Sequence, residues 1–516
     1  MRKLSSRFFA GTRCHSFGDI TYLPTITFSY DTAPARGAWL KDVVPAYALG
    51  PEVPRGVLIE SLRLAFNQSL WHDGKEPDWI RRVNKFYVAH FRRSYAIEEC
   101  DLLFAVPSVP LAGLGYVIHD GGFTHHACDA FGLWRLQHIA QLGKLHDPVV
   151  TDIDTTGYGI AFDHTRLVHS LDARAIALCM AINNRLDDLD RRTLEVAALS
   201  HDVRTPAYGD GAKALDPKFF DEDAHYPELL RGAKWECFRD RYRLREQLLA
   251  DTVQGKGVLG TLLDIADKSS YLARDVWWYL ARYKPNGPAT YLRGCADIMN
   301  LTEKREHLFA LWETVHVRGG DVVFTDARWL ADFLRARMLM FKYLYFHPGS
   351  RYLETITSIV FLRHLIEVGL LTKEQLLMMG DQQVDYLIRR YIGEEASPTF
   401  VSSDECGLMP RVEVFATVRA AEEREQELLR EGAAITFLDT HPYPNPALHF
   451  LVRRHGKTLS FREAYPSIAE EIEEIGRTTA TIKLYHLAVH PDCLLPRLKK
   501  IAETFRATRL AAHSSA

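Results

Sequence analysis

The sequence predicts a mainly α-helical protein that ends in a small α+β domain. Apolar residues recur at helical spacing between about residues 129 and 390, and strand-like and helix-like segments alternate after about residue 395. The 516 residues are 47% hydrophobic and 25% charged, which is the composition of an ordinary globular protein. We therefore expect a mixed N-terminal region over residues 1–117, a helical core over residues 118–395 and a C-terminal α+β domain over residues 396–516.

The N-terminal region shows no single pattern. A possible strand covers residues 21–31, and a helical segment covers residues 76–95. That segment carries a cluster of basic side chains, for which a solvated helix face is favoured over a nucleotide- or RNA-contacting surface. The formal net charge of −3 also argues against a protein whose main task is to coat nucleic acid.

The core begins with a helix predicted over residues 166–184. Val168, Leu171 and Ala175 follow helical spacing, and further apolar residues on the other sides predict burial on most faces. Other helices are predicted over residues 194–202, 262–283 and 326–346. A pair of helices is predicted within residues 355–379, where the first ends at Gly369 and the second begins after the N-cap residue Thr372.

The C-terminal domain follows a linker over residues 398–410. Three strands are predicted beyond the linker, over residues 411–418, 434–439 and 479–489. Helices rich in Glu and Arg lie between the strands, over residues 419–431 and 466–476. This alternation predicts a small α+β domain.

Cysteine usage and hydropathy predict a cytoplasmic protein without a membrane partner. The eight cysteines are scattered and form no CxxC pair, which is typical of a reducing compartment. No uncharged apolar run approaches the roughly 18 residues that span a bilayer. The basic N-terminus lacks the apolar stretch of a signal peptide.

Four residues form the candidate chemical centre: His169, the adjacent pair His201 and Asp202, and Asp267. A core histidine bonded to its neighbouring aspartate would explain the pair alone. Asp267 favours a further role, because it begins a polar stripe with Tyr271 on an otherwise apolar helix. Two imidazoles and two carboxylates are a suitable ligand set for a divalent metal ion.

This H…HD…D order resembles the HD-domain metal phosphohydrolases. The flanking sequences are similar to the deoxynucleoside triphosphate triphosphohydrolase branch, which includes sterile-alpha-motif HD-domain enzymes and their bacterial relatives. The similar segments are DAFGLWRLQHIAQLG at 129–143, HTRLVHSL at 164–171, LSHD at 199–202, DKSSYLARD at 267–275 and RARMLMFKYLYFHP at 335–348. The resemblance therefore implies an HD-type helical core over about half the chain.

The resemblance also implies ligands for the metal and the phosphates. The metal, which would be Mn, Mg, Fe, Ni, Co or Zn, would be bound by His169, His201, Asp202 and Asp267. The phosphates would be bound by Arg166, Lys268 and Arg337, because a nucleoside triphosphate needs several fixed positive charges.

The resemblance also implies which residues would contact the nucleoside. Gln141 and Leu142 would line the deoxyribose, Tyr271 would stack on the sugar and Asp275 would accept from its 3′-hydroxyl. The aromatic ring of Tyr345 would lie near the sugar and base.

The sequence departs from the family after the HD pair. Thr205 and Asp210 stand where relatives carry histidines that act near the scissile phosphate. His225 is a possible replacement, oriented by Glu222 or Asp223, although a solvated loop histidine explains it equally well. The candidate catalytic residues are therefore His225, Asp202 and Asp210.

We expect metal-dependent hydrolysis of a dNTP to a deoxynucleoside and triphosphate. The alternatives are an HD phosphohydrolase that acts on another nucleotide or a phosphomonoester, and an inactive nucleotide-sensing scaffold. The resemblance further implies a homo-oligomer and a possible activating nucleotide.

Overall fold

The computed structural model describes eleven continuous stretches of the chain. These are residues 103–104, 117–118, 123–143, 165–213, 215–281, 311–346, 360–392, 411–433, 435–440, 445–479 and 482–487, with single positions or short groups at 293–308 and 501–510. The predicted strand at 21–31, the helical segment at 76–95 and the linker lie outside the described residues.

Helices dominate the described stretches, which confirms the mainly α class. The α-helices are α1 (Phe123–Phe131), α2 (Arg166–Asn183), α3 (Asp188–Ser200), α4 (Asp210–Lys213), α5 (Glu222–His225), α6 (Ala233–Tyr242), α7 (Glu246–Val253), α8 (Gly257–Ala281), α9 (Ala327–Met340), α10 (Arg363–Glu367), α11 (Lys373–Leu376), α12 (Asp381–Ile392), α13 (Val418–Arg430), α14 (Phe461–Ala464) and α15 (Pro466–Thr479). A π-helical turn, Phe341–Tyr345, extends α9.

Strands pair into three sheets within these stretches. They are β1 (Leu103–Phe104), β2 (Val117–Ile118), β3 (Val315–Arg318), β4 (Asp321–Phe324), β5 (Arg411–Phe415), β6 (Ile435–Thr440), β7 (Leu451–Arg454), β8 (Lys457–Ser460) and β9 (Ile482–Leu487). β1 pairs with β2, the second sheet has the order β3-β4-β7-β8, and the third has the order β5-β9-β6.

Helix α2 lies at the centre of the core, as its all-round apolar pattern predicts. The Thr165 hydroxyl caps its first turn by accepting from the backbone N–H of Val168. The helix packs against α3 and α8, and buried Arg174 pairs with buried Glu195 of α3 at 3.0 Å. Charged groups inside this core are therefore paired, as burial requires.

The predicted helix pair near residue 370 is confirmed. Gly369 adopts a φ of 72°, the left-handed conformation that ends a helix at low cost for glycine. The Thr372 side chain then caps α11 in a capping box with Gln375.

The predicted C-terminal strands β5, β6 and β9 are also confirmed, and both outer strands run antiparallel to β9. Helix α13 contributes Leu428 to a small apolar cluster with Leu484 of β9. The alternation of strands and a charged helix therefore forms the α+β unit that the sequence predicts.

The sheet β3-β4-β7-β8 is a feature that sequence patterning missed. β4 pairs in parallel with β7, with Val323 opposite Leu451 and Phe324 opposite Val452. Residues of 447–472 then join the main apolar core, among them buried Phe461. The division of the chain at residues 117 and 395 stays a prediction. Across the described stretches, every helix is too short or too polar to cross a membrane.

Candidate metal centre

The orientation of His169 is set by a serine on the neighbouring helix. The Ser270 hydroxyl lies 2.9 Å from the carbonyl oxygen of Asp267 and 2.8 Å from Nδ1 of His169. Because a carbonyl can only accept, the hydroxyl donates to it and accepts from Nδ1–H. This contact leaves the lone pair of the neutral imidazole on Nε2.

His201 is oriented by the end of its own helix. It is the C-cap residue of α3, and its Nδ1 lies 3.0 Å from the carbonyl oxygen of Ala198. Nδ1–H therefore donates to that carbonyl, so the lone pair of the neutral His201 ring also lies on Nε2. The Nε2 atoms of His169 and His201 are 3.2 Å apart, so the two lone pairs converge.

Both carboxylates approach the same point. Asp267 Oδ1 lies 3.0 Å from Nε2 of His169 and 3.5 Å from Nε2 of His201. The Asp202 carboxylate lies 3.5 Å from Nε2 of His169 and 3.7 Å from Nε2 of His201. The structure therefore brings together the four residues that the sequence identifies as candidate metal ligands.

The pKa values of the groups in this centre are set by burial and by the charged groups beside them. Burial disfavours the Asp202 carboxylate, but Arg166 and His201 lower its pKa to about 2. Burial likewise opposes ionisation of Asp267, yet the adjacent His169 and His201 rings hold its pKa well below the ordinary value. Burial lowers the pKa of His201, but the two carboxylates raise it to about 9.

This donor set fits a divalent cation. The ligating atoms of His169, His201 and Asp267 all lie within 4.8 Å of one another. Two imidazole nitrogens with carboxylate oxygens suit a borderline divalent ion, without selecting one metal. The hydrogen bonds from Nδ1 of each ring supply the outer-shell orientation that metal-binding histidines normally need.

Arg166 joins this centre to the loop that follows the HD pair. One guanidinium nitrogen lies 3.0 Å from Asp202, and the other lies 3.0 Å from Asp210. Gly209, with a φ of 59°, packs so closely that an added Cβ would lie 3.3 Å from Arg166 Nη2. The loop therefore holds Arg166 beside the candidate metal ligands.

A cavity of about 490 Å³ opens beside these residues. Its lining includes one arginine and one lysine, Arg166 and Lys213. Its carboxylates are Asp202, Asp210, Glu222, Asp223 and Asp267. Among the described residues the lining is therefore acidic, and a divalent cation would offset part of this charge.

The opposite wall of the cavity is aromatic. It includes Tyr271, Phe341 and Tyr345, and the Tyr271 and Tyr345 rings meet edge to face with centroids 6.3 Å apart. Gln141 and Leu142 also line the cavity, and the buried Oε1 atom of Gln141 has no hydrogen-bond partner in the described part of the chain. The wall thus offers flat apolar surface and one polar group to a bound molecule.

Two predicted substrate residues act behind this wall. Arg337 Nε donates to the Tyr271 hydroxyl at 3.0 Å, and its guanidinium lies 4.9 Å from the Phe341 ring centroid. Asp275 is buried and accepts a 2.6 Å hydrogen bond from Tyr345. Neither residue lines the cavity, so in this structure both support aromatic rings that do.

Two other predicted residues also lie away from the cavity lining. Lys268 forms an ion pair with Asp264, one turn earlier on α8. His225 is the last residue of α5, where its ring nitrogens are 2.8 Å from Glu228 and 3.2 Å from the Lys218 carbonyl oxygen. The structure therefore does not bring His225 to the place where a replacement for the family histidines would act.

Sequence reasoning missed several residues that shape the site. Ser270 and Lys213 were not identified, although the i, i+3 spacing of Asp210 and Lys213 was a signal for a pair. Arg135 donates to the carbonyl oxygens of Val203 and Thr205 at 2.8 and 2.7 Å. Such long-range contacts leave no signal in local spacing.

Asp381 also holds the loop that follows the HD pair, through hydrogen bonds with backbone N–H groups. Its carboxylate accepts from the backbone N–H groups of Ala140 and Tyr208 at 2.8 and 2.7 Å. It thereby ties the segment before Gln141 to the loop before Gly209.

Comparison with known proteins gives structural likeness only. Neither a protein-family model nor a curated protein sequence matches the chain. A phosphohydrolase structure from Bacteroides thetaiotaomicron is similar over 72% of this chain and 96% of its own, with a TM-score of 0.52 and 15% identity. A hypothetical protein from Aquifex aeolicus is similar over 74% of this chain and 95% of its own, with a TM-score of 0.51 and 19% identity. The chain therefore shares its fold with these two proteins.

Proposed function

We propose that the chain is an HD-type, metal-dependent phosphohydrolase that acts on a nucleotide phosphoester. The observation that carries the proposal is the convergence of His169, His201, Asp202 and Asp267 at one side of a cavity that also presents the Arg166 guanidinium. A divalent ion bound there supplies Lewis-acid polarisation of a phosphoryl oxygen and activation of a water.

The chain's own residues prepare the site for this chemistry. Ser270 and the Ala198 carbonyl hold the two imidazoles with Nε2 available to a cation. Arg166 places a fixed positive charge beside Asp202, where it neutralises charge on a bound phosphate. The aromatic wall that includes Tyr271 and Tyr345 would receive the nucleoside.

A dNTP is the first substrate to test, with a deoxynucleoside and triphosphate as products. Support comes from the sequence motifs and from Gln141 and Leu142, which line the cavity as expected for residues beside the sugar. In this proposal the guanidinium of Arg166 contacts the phosphate nearest the metal.

A nucleotide with fewer phosphates, or another phosphomonoester, is the second candidate. It is favoured by the charge of the cavity, where the lining residues Arg166 and Lys213 are already paired with carboxylates. Lys268 and Arg337, the other expected phosphate contacts, do not line the cavity. A triphosphate needs more fixed positive charge than a monophosphate.

A substrate panel with purified full-length protein tests the proposal. The protein is incubated with Mn²⁺ or Mg²⁺ and with dNTPs, dNMPs and simple phosphomonoesters, and the products are separated. The proposal is supported if turnover disappears when a chelator is added and in the His201→Ala variant. Turnover should persist in His138→Ala, the control at an exposed residue. Nucleotide-dependent thermal stabilisation without any product would instead indicate an inactive nucleotide-sensing scaffold.

A further inference from the structure

A polar cluster lines the cavity apart from the four candidate metal ligands. It consists of Thr205 in the loop after α3, Lys213 at the end of α4 and Glu222 at the start of α5. The Thr205 hydroxyl donates to Glu222 Oε1 at 2.6 Å, and Lys213 Nζ lies 3.1 Å from the same oxygen. Two donors therefore fix one oxygen of the Glu222 carboxyl group.

The other carboxyl oxygen of Glu222, Oε2, has different surroundings. Glu222 lines the cavity with a side chain only 11% exposed, and its Oε2 makes no hydrogen bond to the described part of the chain. Because Oε1 already accepts from two donors, the proton of a neutral Glu222 resides on Oε2. The group is then a fixed O–H donor at the cavity wall.

The surroundings favour that neutral form. Burial raises the pKa of Glu222. Lys213, Arg166 and the Thr205 hydrogen bond oppose the shift without reversing it. A carboxyl group with a raised pKa retains its proton closer to neutral pH, as an acid catalyst must.

We propose that Glu222 protonates the leaving oxygen of the phosphoester, an inference that rests on the proposed function. As the oxygen of water bonds to phosphorus, the bond from phosphorus to the leaving oxygen breaks and its electron pair moves to that oxygen. The leaving oxygen takes the proton from Oε2. The Glu222 carboxylate then regains a proton from the attacking water, so that ester and water yield alcohol and phosphate.

Neighbouring groups suit this role less well. Lys213 lowers the pKa of Asp210, and Arg166 lowers it further, so Asp210 stays ionised. Burial lowers the pKa of Lys213, but the Asp210 carboxylate raises it, so Lys213 keeps its own proton. Asp223 lines the cavity and also has a pKa raised by burial, so it is the competing candidate that the experiment must separate.

The decisive variant is Glu222→Gln, compared with Asp223→Asn. The amide oxygen of glutamine still accepts from Thr205 and Lys213, so the change removes the proton and retains the two contacts. Metal-loaded full-length proteins are assayed on the nucleotide that the wild type hydrolyses, and on phenyl and p-nitrophenyl phosphate. p-Nitrophenolate leaves readily without a proton, whereas a nucleoside alkoxide does not.

We expect Glu222→Gln to lower kcat/KM by about 100-fold or more on the nucleotide and phenyl esters, and by less than about 10-fold on the p-nitrophenyl ester. The alkaline fall of kcat/KM with the nucleotide should also disappear. Equal losses on all esters, an unchanged alkaline limb, or the same pattern in Asp223→Asn would overturn the assignment of Glu222. A metal-loaded wild type without turnover of any ester would overturn the proposed function itself.

Discussion

The Ser270 hydroxyl accepts from Nδ1 of His169 across the contact between α8 and α2. It donates at the same time to the carbonyl oxygen of Asp267, so one hydroxyl connects two candidate metal ligands. The position of the imidazole therefore depends on a residue that has no ligand atom of its own.

Ser270→Ala should weaken metal binding about 10- to 100-fold, because the His169 ring loses the contact that fixes its tautomer. The measurement is a metal titration by isothermal calorimetry. Ser269→Ala is the matched control, since the buried Ser269 hydroxyl has no hydrogen-bond partner in the described part of the chain. Equal affinities for the two variants would contradict the role assigned to Ser270.

Metal binding should become tighter as the pH rises from 7 to 9. The pKa of His201 is about 9 in the metal-free protein, so a proton competes with the metal below that pH. The apparent affinity should rise by up to about 10-fold per pH unit and then level off. Calorimetry in buffers of different ionisation enthalpy should show about one proton released per metal at pH 7.5. An affinity independent of pH over this range would contradict the competition.

Gly209→Ala should reduce both stability and activity. At a φ of 59° an alanine costs about 1 kcal/mol, and its Cβ would lie 3.3 Å from Arg166 Nη2 and displace the guanidinium. The free energy of unfolding is measured by urea denaturation, and kcat/KM is measured on the substrate found by the panel.

Gly456→Ala provides the control for that change. Gly456 has a φ of 79°, and an added Cβ meets nothing within 4 Å. It should therefore carry a similar backbone cost while leaving kcat/KM unchanged. A loss of activity of similar size in both variants would show that the effect of Gly209 does not act through Arg166.

Asp381→Asn should destabilise the fold by about 1–3 kcal/mol. An asparagine side chain accepts with one end only, which leaves the backbone N–H of Ala140 or Tyr208 without its acceptor. Urea denaturation measures the change, with Asp251→Asn on an exposed ion pair as control. Equal midpoints for the two variants would show that Asp381 does not hold these segments together.

Local sequence patterns predicted much of the helical core. Helix α2 follows from its apolar spacing, and α11 begins at Thr372 because a threonine side chain caps the first turn. The grouping of His169, His201 and Asp267 was predicted from their residue types and from the resemblance of the H…HD…D order to the HD-domain phosphohydrolases.

Contacts between distant segments were not predictable in this way. The pairing of β4 with β7 depends on a match between short strands far apart in sequence, and each strand alone has only four residues. Lys268 pairs with Asp264, and Arg337 donates to the Tyr271 hydroxyl. These contacts hold both side chains away from the cavity lining. Family motifs identify residue types, but they do not show which neighbouring group each side chain will contact.

The parallel pairing of β4 with β7 also sets the order in which the protein can be completed during synthesis. Phe324 and Val452 lie opposite each other, so the central core gains its last strands only after the ribosome has made the segment beyond residue 450. Contacts of such high sequence separation form slowly and expose apolar surface meanwhile. A nascent chain arrested before β7 would carry the candidate metal ligands in a body whose core is still open to chaperones and proteases.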